Sequence, residues 1–295
     1  MLMIQSFIID FLILLSLPFN GLDYSEAISL EMQLPVCIEC HSDLVGRDMM
    51  HYPVEDACDN CHESTGASHP SADSLGFRLM DKIPELCYYC HEEKEEMDFT
   101  HQPVAGGDCL GCHDAHGSSE ASLMRSPDPD LCLSCHNRDY RSDSSETLNI
   151  RRLVKGRMKA HSAIEGGGCM SCHQSHGSDS RALLVDRFPE ADYLPALTEN
   201  FELCFLCHDT DLLNAQETEW GTGFRNGKKN LHWLHMNGNK GRNCRMCHNI
   251  HGSPQSFLIE KRLDFGNWEM QMNFVPEEQG GSCLPGCHGK LSYQR

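Results

Sequence analysis

The stretch Cys109-Leu-Gly-Cys112-His113-Asp-Ala-His116-Gly117-Ser118 contains, in ten consecutive residues, the pattern that organises the whole chain. Its first half, Cys-x-x-Cys-His, occurs eight times in the 295 residues, and a ninth copy near the C-terminus has three residues between its cysteines. The nine copies use all 18 cysteines, so none is left for another role. The motifs are Cys37/Cys40/His41, Cys58/Cys61/His62, Cys87/Cys90/His91, Cys109/Cys112/His113, Cys132/Cys135/His136, Cys169/Cys172/His173, Cys204/Cys207/His208, Cys244/Cys247/His248 and Cys283/Cys287/His288.

A Cys-x-x-Cys-His sequence is the attachment site of a c-type haem. The two thiols add to the vinyl groups of the porphyrin, and the adjacent histidine becomes the proximal ligand of the iron. Paired cysteines also occur in zinc sites and disulfide frameworks, but neither requires a histidine directly after every second cysteine. We therefore expect nine covalently attached haem c groups. In the ninth motif the three intervening residues must bulge for both sulfurs to reach the porphyrin, so this site departs most from the pattern.

Nine further histidines lie outside the motifs: His51, His69, His101, His116, His161, His176, His232, His235 and His251. One further histidine per motif is the number that nine irons with two histidine ligands each would need. Four of these, termed the upstream histidines, lie seven to nine residues before the second motif of a pair: His51, His101, His161 and His235. Four trailing histidines follow that second motif: His69, His116, His176 and His251.

Loop lengths suggest which histidine serves which motif. A trailing histidine three residues after a proximal ligand lies on the same side of its own haem, so it should serve a neighbouring one. An upstream histidine has enough chain to fold over the haem of the motif that follows it. We therefore predict that upstream histidines serve the second motif of each pair, that trailing histidines serve the first, and that His232 serves the ninth. The 14 methionines are expected mainly to pack against porphyrin.

The pairing of motifs divides the chain into repeats. We expect one nonahaem domain over 30–295, with paired repeats at about 34–83, 84–128, 129–199 and 200–255 and a single-motif tail at 256–295. About thirty residues per motif is too little chain for a conventional apolar core. The predicted fold is therefore a mostly irregular, elongated array with short α-helices, in which porphyrin supplies much of the buried surface. A small β-hairpin within 255–275 is expected as the main β element.

The N-terminus is typical of an exported protein. Residues 1–19 are largely apolar, and cleavage after Ala27-Ile-Ser29 fits a signal peptide over 1–29. Two features depart from that pattern, since Asp10 interrupts the apolar run and no lysine or arginine precedes Arg47; a mis-assigned start or a retained anchor would explain them. Haem attachment to so many motifs also belongs outside the cytoplasm. We expect a periplasmic or outer-membrane-associated protein.

The chain is acidic, with a formal net charge of −19, and nucleic acid is not an expected partner. One segment of this acidic chain is basic and contains Arg138, Arg141, Arg151, Arg152, Lys155, Arg157 and Lys159. Its cations would be solvated or pair with haem propionates, or else would dock an acidic partner.

The sequence resembles bacterial multihaem c-type cytochromes with a doubled Cys-x-x-Cys-His motif. The paired motifs, the turns CHDAHG, CHQSHGS and CHNIHGS, and the tail GGSCLPGCHGKLSY carry the resemblance over residues 34–292. The family's tail motif often has another histidine soon after Cys-His-Gly, whereas this chain has Lys290-Leu-Ser-Tyr293, which favours a more distant ligand for the ninth iron. Some relatives are periplasmic components of porin–cytochrome conduits, so the resemblance implies redox partner proteins, among them an outer-membrane porin and an extracellular cytochrome.

The expected function is electron transfer along closely spaced haems with two histidine ligands each, without a catalytic residue. Two alternatives stay open. A terminal reductase would need one open iron, often with lysine in place of the motif histidine, and no Cys-x-x-Cys-Lys occurs here. A subunit that self-assembles into a cytochrome filament would instead exchange a histidine between protomers.

Overall fold

The computed structural model describes residues 33–93, 97–141, 146–147, 149–155 and 158–295. The predicted signal peptide and Arg157 lie outside these residues. Within them the chain is mostly irregular, with helices of at most six residues and short antiparallel ladders, so the predicted fold class is confirmed. No helix in this part of the chain is long and apolar enough to cross a membrane.

The two motifs of each pair adopt different helical turns. The first motif lies on an α-helical turn, in Gln33–Ile38, Glu85–Tyr88, Asp130–Cys135 and Glu202–Phe205. The second begins a 3₁₀ turn, in Cys58–Asn60, Cys109–Gly111, Cys169–Ser171 and Cys244–Met246. Two of these 3₁₀ turns are capped by the preceding side chain, since Asp108 accepts from the N–H of Gly111 and Asn243 from that of Arg245.

Three upstream histidines, His51, His101 and His161, are the N-cap residues of short α-helices. These helices are Tyr52–Asp56, Gln102–Ala105 and Ser162–Gly167. The other α-helices within the described residues are Ile150–Val154, Asp211–Asn214 and Leu231–Met236. The other 3₁₀ turns in this part of the chain are Ser42–Leu44, Ala121–Leu123, Arg181–Leu183, Thr198–Asn200 and Ser256–Leu258.

Three two-stranded antiparallel ladders join each repeat to the next one. They pair Met49–Met50 with Gly117–Ser118, Phe99–Thr100 with Gly177–Ser178, and Lys159–Ala160 with Gly252–Ser253. In each, the strand before an upstream histidine meets the strand after a trailing histidine of the following repeat. The His-Gly-Ser segments are thus strands, and they hold neighbouring repeats together.

The C-terminal region contains most of the remaining β structure. The predicted hairpin is present, with Arg262–Phe265 paired to Trp268–Gln271. The expectation that it is the main β element is wrong, because a three-stranded sheet follows it: Val275–Glu277, Gly280–Cys283 and Leu291–Gln294, with Gly280–Cys283 in the centre. Smaller ladders pair His62–Ser64 with Phe77–Leu79, Tyr140–Arg141 with Glu146–Thr147, and Arg225–Asn226 with Lys229–Asn230.

The apolar core of the polypeptide is small. Among the described residues the buried hydrophobic side chains are Leu133, Phe201, Leu213, Met236, Met246, Met272, Phe274 and Tyr293. Of these eight described side chains, Phe201, Leu213 and Met236 form a cluster, in the fourth repeat. A chain of this length would ordinarily bury far more apolar surface in its own core. Most apolar side chains are therefore left to line the space between the motifs.

Candidate haem-binding sites

Every histidine of the sequence has one histidine partner in space. Nine pairs form, each joining a motif histidine to a histidine outside the motifs, with ring centroids 6.0 to 6.5 Å apart: His41–His69, His91–His51, His62–His116, His136–His101, His113–His176, His208–His161, His173–His251, His248–His232 and His288–His235. A metal–imidazole bond is about 2 Å long, so two imidazoles on opposite sides of one metal ion have centroids about 6 Å apart. The observed spacing fits one iron between the two rings of each pair.

The predicted assignment of histidines to motifs is wrong for most pairs. Upstream His51, His101 and His161 face the first motif of the next repeat, not the second motif of their own. Trailing His116, His176 and His251 face the second motif of the preceding repeat. Of the repeat assignments only that of His69 to His41 agrees with the prediction.

The ladders between repeats explain this exchange. The N–H of His51 donates to the carbonyl of His116 at 3.2 Å, that of His101 to His176 at 3.0 Å, and that of His161 to His251 at 3.1 Å. Each upstream histidine is therefore held beside a trailing histidine of the next repeat. From there the upstream side chain faces the first motif of the next repeat. The trailing side chain faces the second motif of the preceding repeat. Loop lengths within one repeat carry no information about these hydrogen bonds between repeats, so they do not predict the exchange.

The ninth motif has a histidine partner, although His232 is not that partner. His232 faces His248, and His235 faces His288. Both partners lie on the helix Leu231–Met236, whose start is fixed by the buried side chain of Asn230 through bonds from the N–H groups of His232 and Trp233. Residues three apart on a helix are surface neighbours, so one helix can serve two adjacent sites.

Hydrogen bonds at Nδ1 orient many of the imidazoles. In three second motifs the Nδ1 of His113, His173 and His248 lies 2.9 Å from the carbonyl oxygen of the residue nine positions later. Those residues, Ser122, Ala182 and Phe257, have φ of 56°, 58° and 59°. This left-handed backbone is uncommon for residues other than glycine, and sequence reasoning did not identify it. The only signal for it is the repeated nine-residue spacing.

Other histidines have comparable partners. The Nδ1 of His51 lies 2.9 Å from the Ala115 carbonyl oxygen, and that of His101 is equally close to the Ser175 carbonyl oxygen. The Nδ1 of His235 lies 2.6 Å from the Leu231 carbonyl oxygen, and that of His288 lies 2.6 Å from the Gly289 carbonyl oxygen. An Nδ1–H that donates to a carbonyl leaves Nε2 unprotonated, which is the tautomer required of an iron ligand at Nε2.

Burial keeps several of these imidazoles neutral. It lowers the pKa of His232 to about 4, and the neighbouring His248 acts in the same direction. It also lowers the pKa of His251 to about 4, with a further contribution from His173. Since the neutral imidazole is the form that binds a metal ion, these histidines are in the ligating form at neutral pH.

Thiols of neighbouring motifs lie close together and in sequence order. Within each repeat the thiols of the first cysteines of the two motifs are close neighbours: Cys37 and Cys58, Cys87 and Cys109, Cys132 and Cys169, and Cys204 and Cys244. Between repeats a thiol of the second motif lies near enough to a thiol of the next motif to interact with it electrostatically: Cys61 and Cys90, Cys112 and Cys132, Cys172 and Cys207, and Cys247 and Cys283. Motifs adjacent in sequence are therefore adjacent in space.

Asp128 holds two motifs together in the third repeat. Its carboxylate accepts hydrogen bonds from the backbone N–H groups of Cys169 and Met170, at 2.9 and 3.0 Å. Asp128 also lies beside the thiol of Cys132, so it joins the fifth motif to the start of the sixth. The basic segment lies nearby, where Lys155 pairs with Asp130 at 3.3 Å and the Arg138 guanidinium lies 5.3 Å from the ring centroid of Tyr140.

The residues around the motifs fit haem c. All 18 cysteines and all 18 histidines line one continuous cavity of about 5220 Å³. That is about 580 Å³ for each motif, within the range of about 300–1,000 Å³ for a site that holds one organic cofactor. Each motif thus offers two thiols for attachment, an adjacent histidine and a second histidine opposite it.

The sequence of this chain is similar to those of known proteins that contain the paired motif. A family model described as the doubled CXXCH motif matches residues 51–96, 101–140 and 161–212. The chain is also similar to the multiheme cytochrome MtrA of Shewanella baltica (strain OS185), with 28% identity over 163 residues that make up 51% of this chain and 41% of that protein. The chain thus spans less than half the length of that relative. By its motifs and by these matches, the chain belongs to the doubled CXXCH family and is a multihaem c-type cytochrome that attaches haem c covalently through its CXXCH motifs.

Proposed function

We propose that this protein transfers electrons along a row of nine haem c groups, each held between a motif histidine and a second histidine. The single observation that carries the proposal is the one-to-one pairing of the 18 histidines in nine pairs. With a histidine on each face, an iron has no position left for a substrate. An electron carrier, not an enzyme, is the function that this arrangement supports.

The protein side chains fix the position and electronic character of each site. When bound, haem c supplies a one-electron iron couple whose potential depends on the axial ligands. Two histidines give a lower potential than a histidine and a methionine, which suits respiratory electrons of low potential. The carbonyl groups that accept from Nδ1 hold the imidazoles in place, so little reorganisation accompanies a change in charge.

The order of the cysteine contacts supports a linear path. It runs from the motif at Cys37 to the motif at Cys283 in sequence order, through the four paired repeats and the tail as one domain over 30–295. Electrons would enter near one end and leave near the other. The side chains between the ends serve to hold neighbouring sites close together.

The compartment and partners follow from the family likeness. We propose export to the periplasm or the outer membrane, with cleavage of residues 1–29. The partners would be redox proteins, including an outer-membrane porin and an extracellular cytochrome. The similarity to the multiheme cytochrome MtrA supports this placement.

A potentiometric titration with haem quantitation tests the proposed function. Purified holoprotein should contain nine haems per chain and take up nine electrons reversibly at negative potentials. Visible spectra should be those of six-coordinate, low-spin haem in both oxidation states. Fewer reversible electrons than haems, or steady turnover of a small substrate such as nitrite at rates typical of an enzyme, would contradict the proposal.

A further inference from the structure

Three upstream histidines hold equivalent positions but make different hydrogen bonds. His51 and His101 have Nδ1 beside a carbonyl oxygen of the next repeat, and their rings lie 17° and 21° from the plane of the partner histidine. At His161 the Nδ1 instead accepts a hydrogen bond from the backbone N–H of Ala163, at 3.2 Å. The ring of His161 is rotated 69° from that of its partner His208.

The sequence explains the difference. Each of these histidines is the N-cap of a short helix, and the second residue after it is Pro53, Pro103 or Ala163. Proline has no backbone N–H to donate. The first two histidines therefore have no donor at that position, and Nδ1 is free to act as a donor itself. Ala163 has a backbone N–H, which donates to Nδ1 of His161 and fixes the orientation of its ring.

This hydrogen bond conflicts with binding iron. A neutral imidazole has one donor and one acceptor nitrogen, so an Nδ1 that accepts leaves the proton on Nε2. The nitrogen that should face the iron is then protonated. To bind, His161 must break its bond to Ala163 and move the proton to Nδ1, or lose the proton entirely. His51 and His101 need neither change, because their Nδ1 atoms lie beside carbonyl oxygens.

We propose that His161 is the exchangeable distal ligand of this chain, and that the haem held by Cys204, Cys207 and His208 accepts a small neutral ligand such as carbon monoxide in the ferrous state. The exchange breaks the bond between iron and His161 and forms one to the added molecule, with no change in oxidation state. On release the imidazole exchanges its single proton with water, losing it from Nδ1 and gaining it on Nε2, and Nδ1 again accepts from the N–H of Ala163. This inference rests on the proposed function, since it presumes histidine ligands at the remaining irons.

The test is a titration of dithionite-reduced holoprotein with carbon monoxide, followed by visible spectroscopy. Wild-type protein should bind one equivalent per chain. Ala163→Pro should abolish that binding, because proline removes the N–H and is tolerated in the first turn of a helix, as at Pro53. Ala163→Ser keeps the N–H and should bind carbon monoxide as the wild type does. Pro103→Ala should create a second binding haem, at the motif of His136.

Wild-type protein that binds no carbon monoxide, or an Ala163→Pro variant that binds it equally well, would overturn the inference. The proposed function is judged separately, by the haem count and the reversible electron uptake of the same sample.

Discussion

At the scale of single residues, the two histidines three positions apart on one helix are the most informative. His235 faces the histidine of the ninth motif, and His232 faces that of the eighth. The two rings share the neighbour Phe224, which stacks on His235 and meets His232 edge-on. The irregular ninth motif therefore has a facing histidine, as the other eight motifs do.

This assignment predicts that removing the ninth haem cancels the effect of substituting His235 but not that of substituting His232. His235→Ala and His232→Ala should each convert one haem to the high-spin form, seen by EPR. In a background with Cys283→Ala and Cys287→Ala, which carries eight haems, His235→Ala should have no further effect on spin state, because its iron is absent. His232→Ala should still produce one high-spin haem there. The reverse pattern would show that the two ligands are exchanged.

The lowered histidine pKa values predict how stability depends on pH. Between pH 6.5 and about 4 the unfolded chain binds protons at His232 and His251 while the folded protein does not. Stability therefore increases with pH in this window and is lost as pH falls through it. The thermal unfolding temperature of the holoprotein should fall steadily from pH 7 to pH 4; an unchanged temperature over that range would contradict this account.

At the scale of elements, the ladders between repeats determine which histidine meets which motif. Gly252 lies in the ladder that joins the third repeat to the fourth. A Cβ at this position would overlap the carbonyl oxygens of Leu153 and Lys159. The glycine is thus required by the close approach of two backbones, and not by a turn.

Gly252→Ala should separate the two strands and displace His161 and His251 from their partners. We expect a loss of about 2–4 kcal/mol in the free energy of unfolding and a mixture of high-spin haems. Gly166→Ala is the matched control, because a Cβ at Gly166 meets no atom within 4 Å. Its effect should stay within about 1 kcal/mol, in the stabilising direction, since alanine favours the helix. Equal effects of the two substitutions would argue against the ladder's role.

Sequence reasoning could predict features with local signals and not those that depend on distant strands. The motifs, the spare histidines and the hairpin at Arg262–Gln271 each have a pattern within a few residues. The pairing of Met49 with Ser118 has none, because the strands are two residues long and 69 positions apart. The left-handed backbone of Ser122, Ala182 and Phe257 is equally hard to predict from the sequence, since none of them is a residue type that favours positive φ.

At the scale of the whole molecule, the small polypeptide core makes folding depend on haem attachment. Few hydrophobic side chains among the described residues are buried by protein alone, while the cavity lined by the motifs is large. The porphyrins would supply the missing apolar contacts and would link residues far apart in sequence. Folding and cofactor attachment are then coupled, as in small metal-binding domains.

A chain produced without haem attachment should therefore lack cooperative structure. Circular dichroism should show mostly irregular backbone and no sharp thermal transition, and amide hydrogen exchange should be complete within the dead time of mixing. The mature holoprotein is the control, with protected amides in the ladders between repeats. A haem-free chain with a cooperative transition would show that the polypeptide core suffices.

A crystal structure of the haem-loaded protein would show the order and the ligands of its irons. We expect nine irons in one row, in the order of the motifs along the sequence, each bound by the two histidines of one of the nine pairs. An iron ligated by methionine or water in place of its paired histidine at several sites, or a row that departs from sequence order, would contradict this expectation.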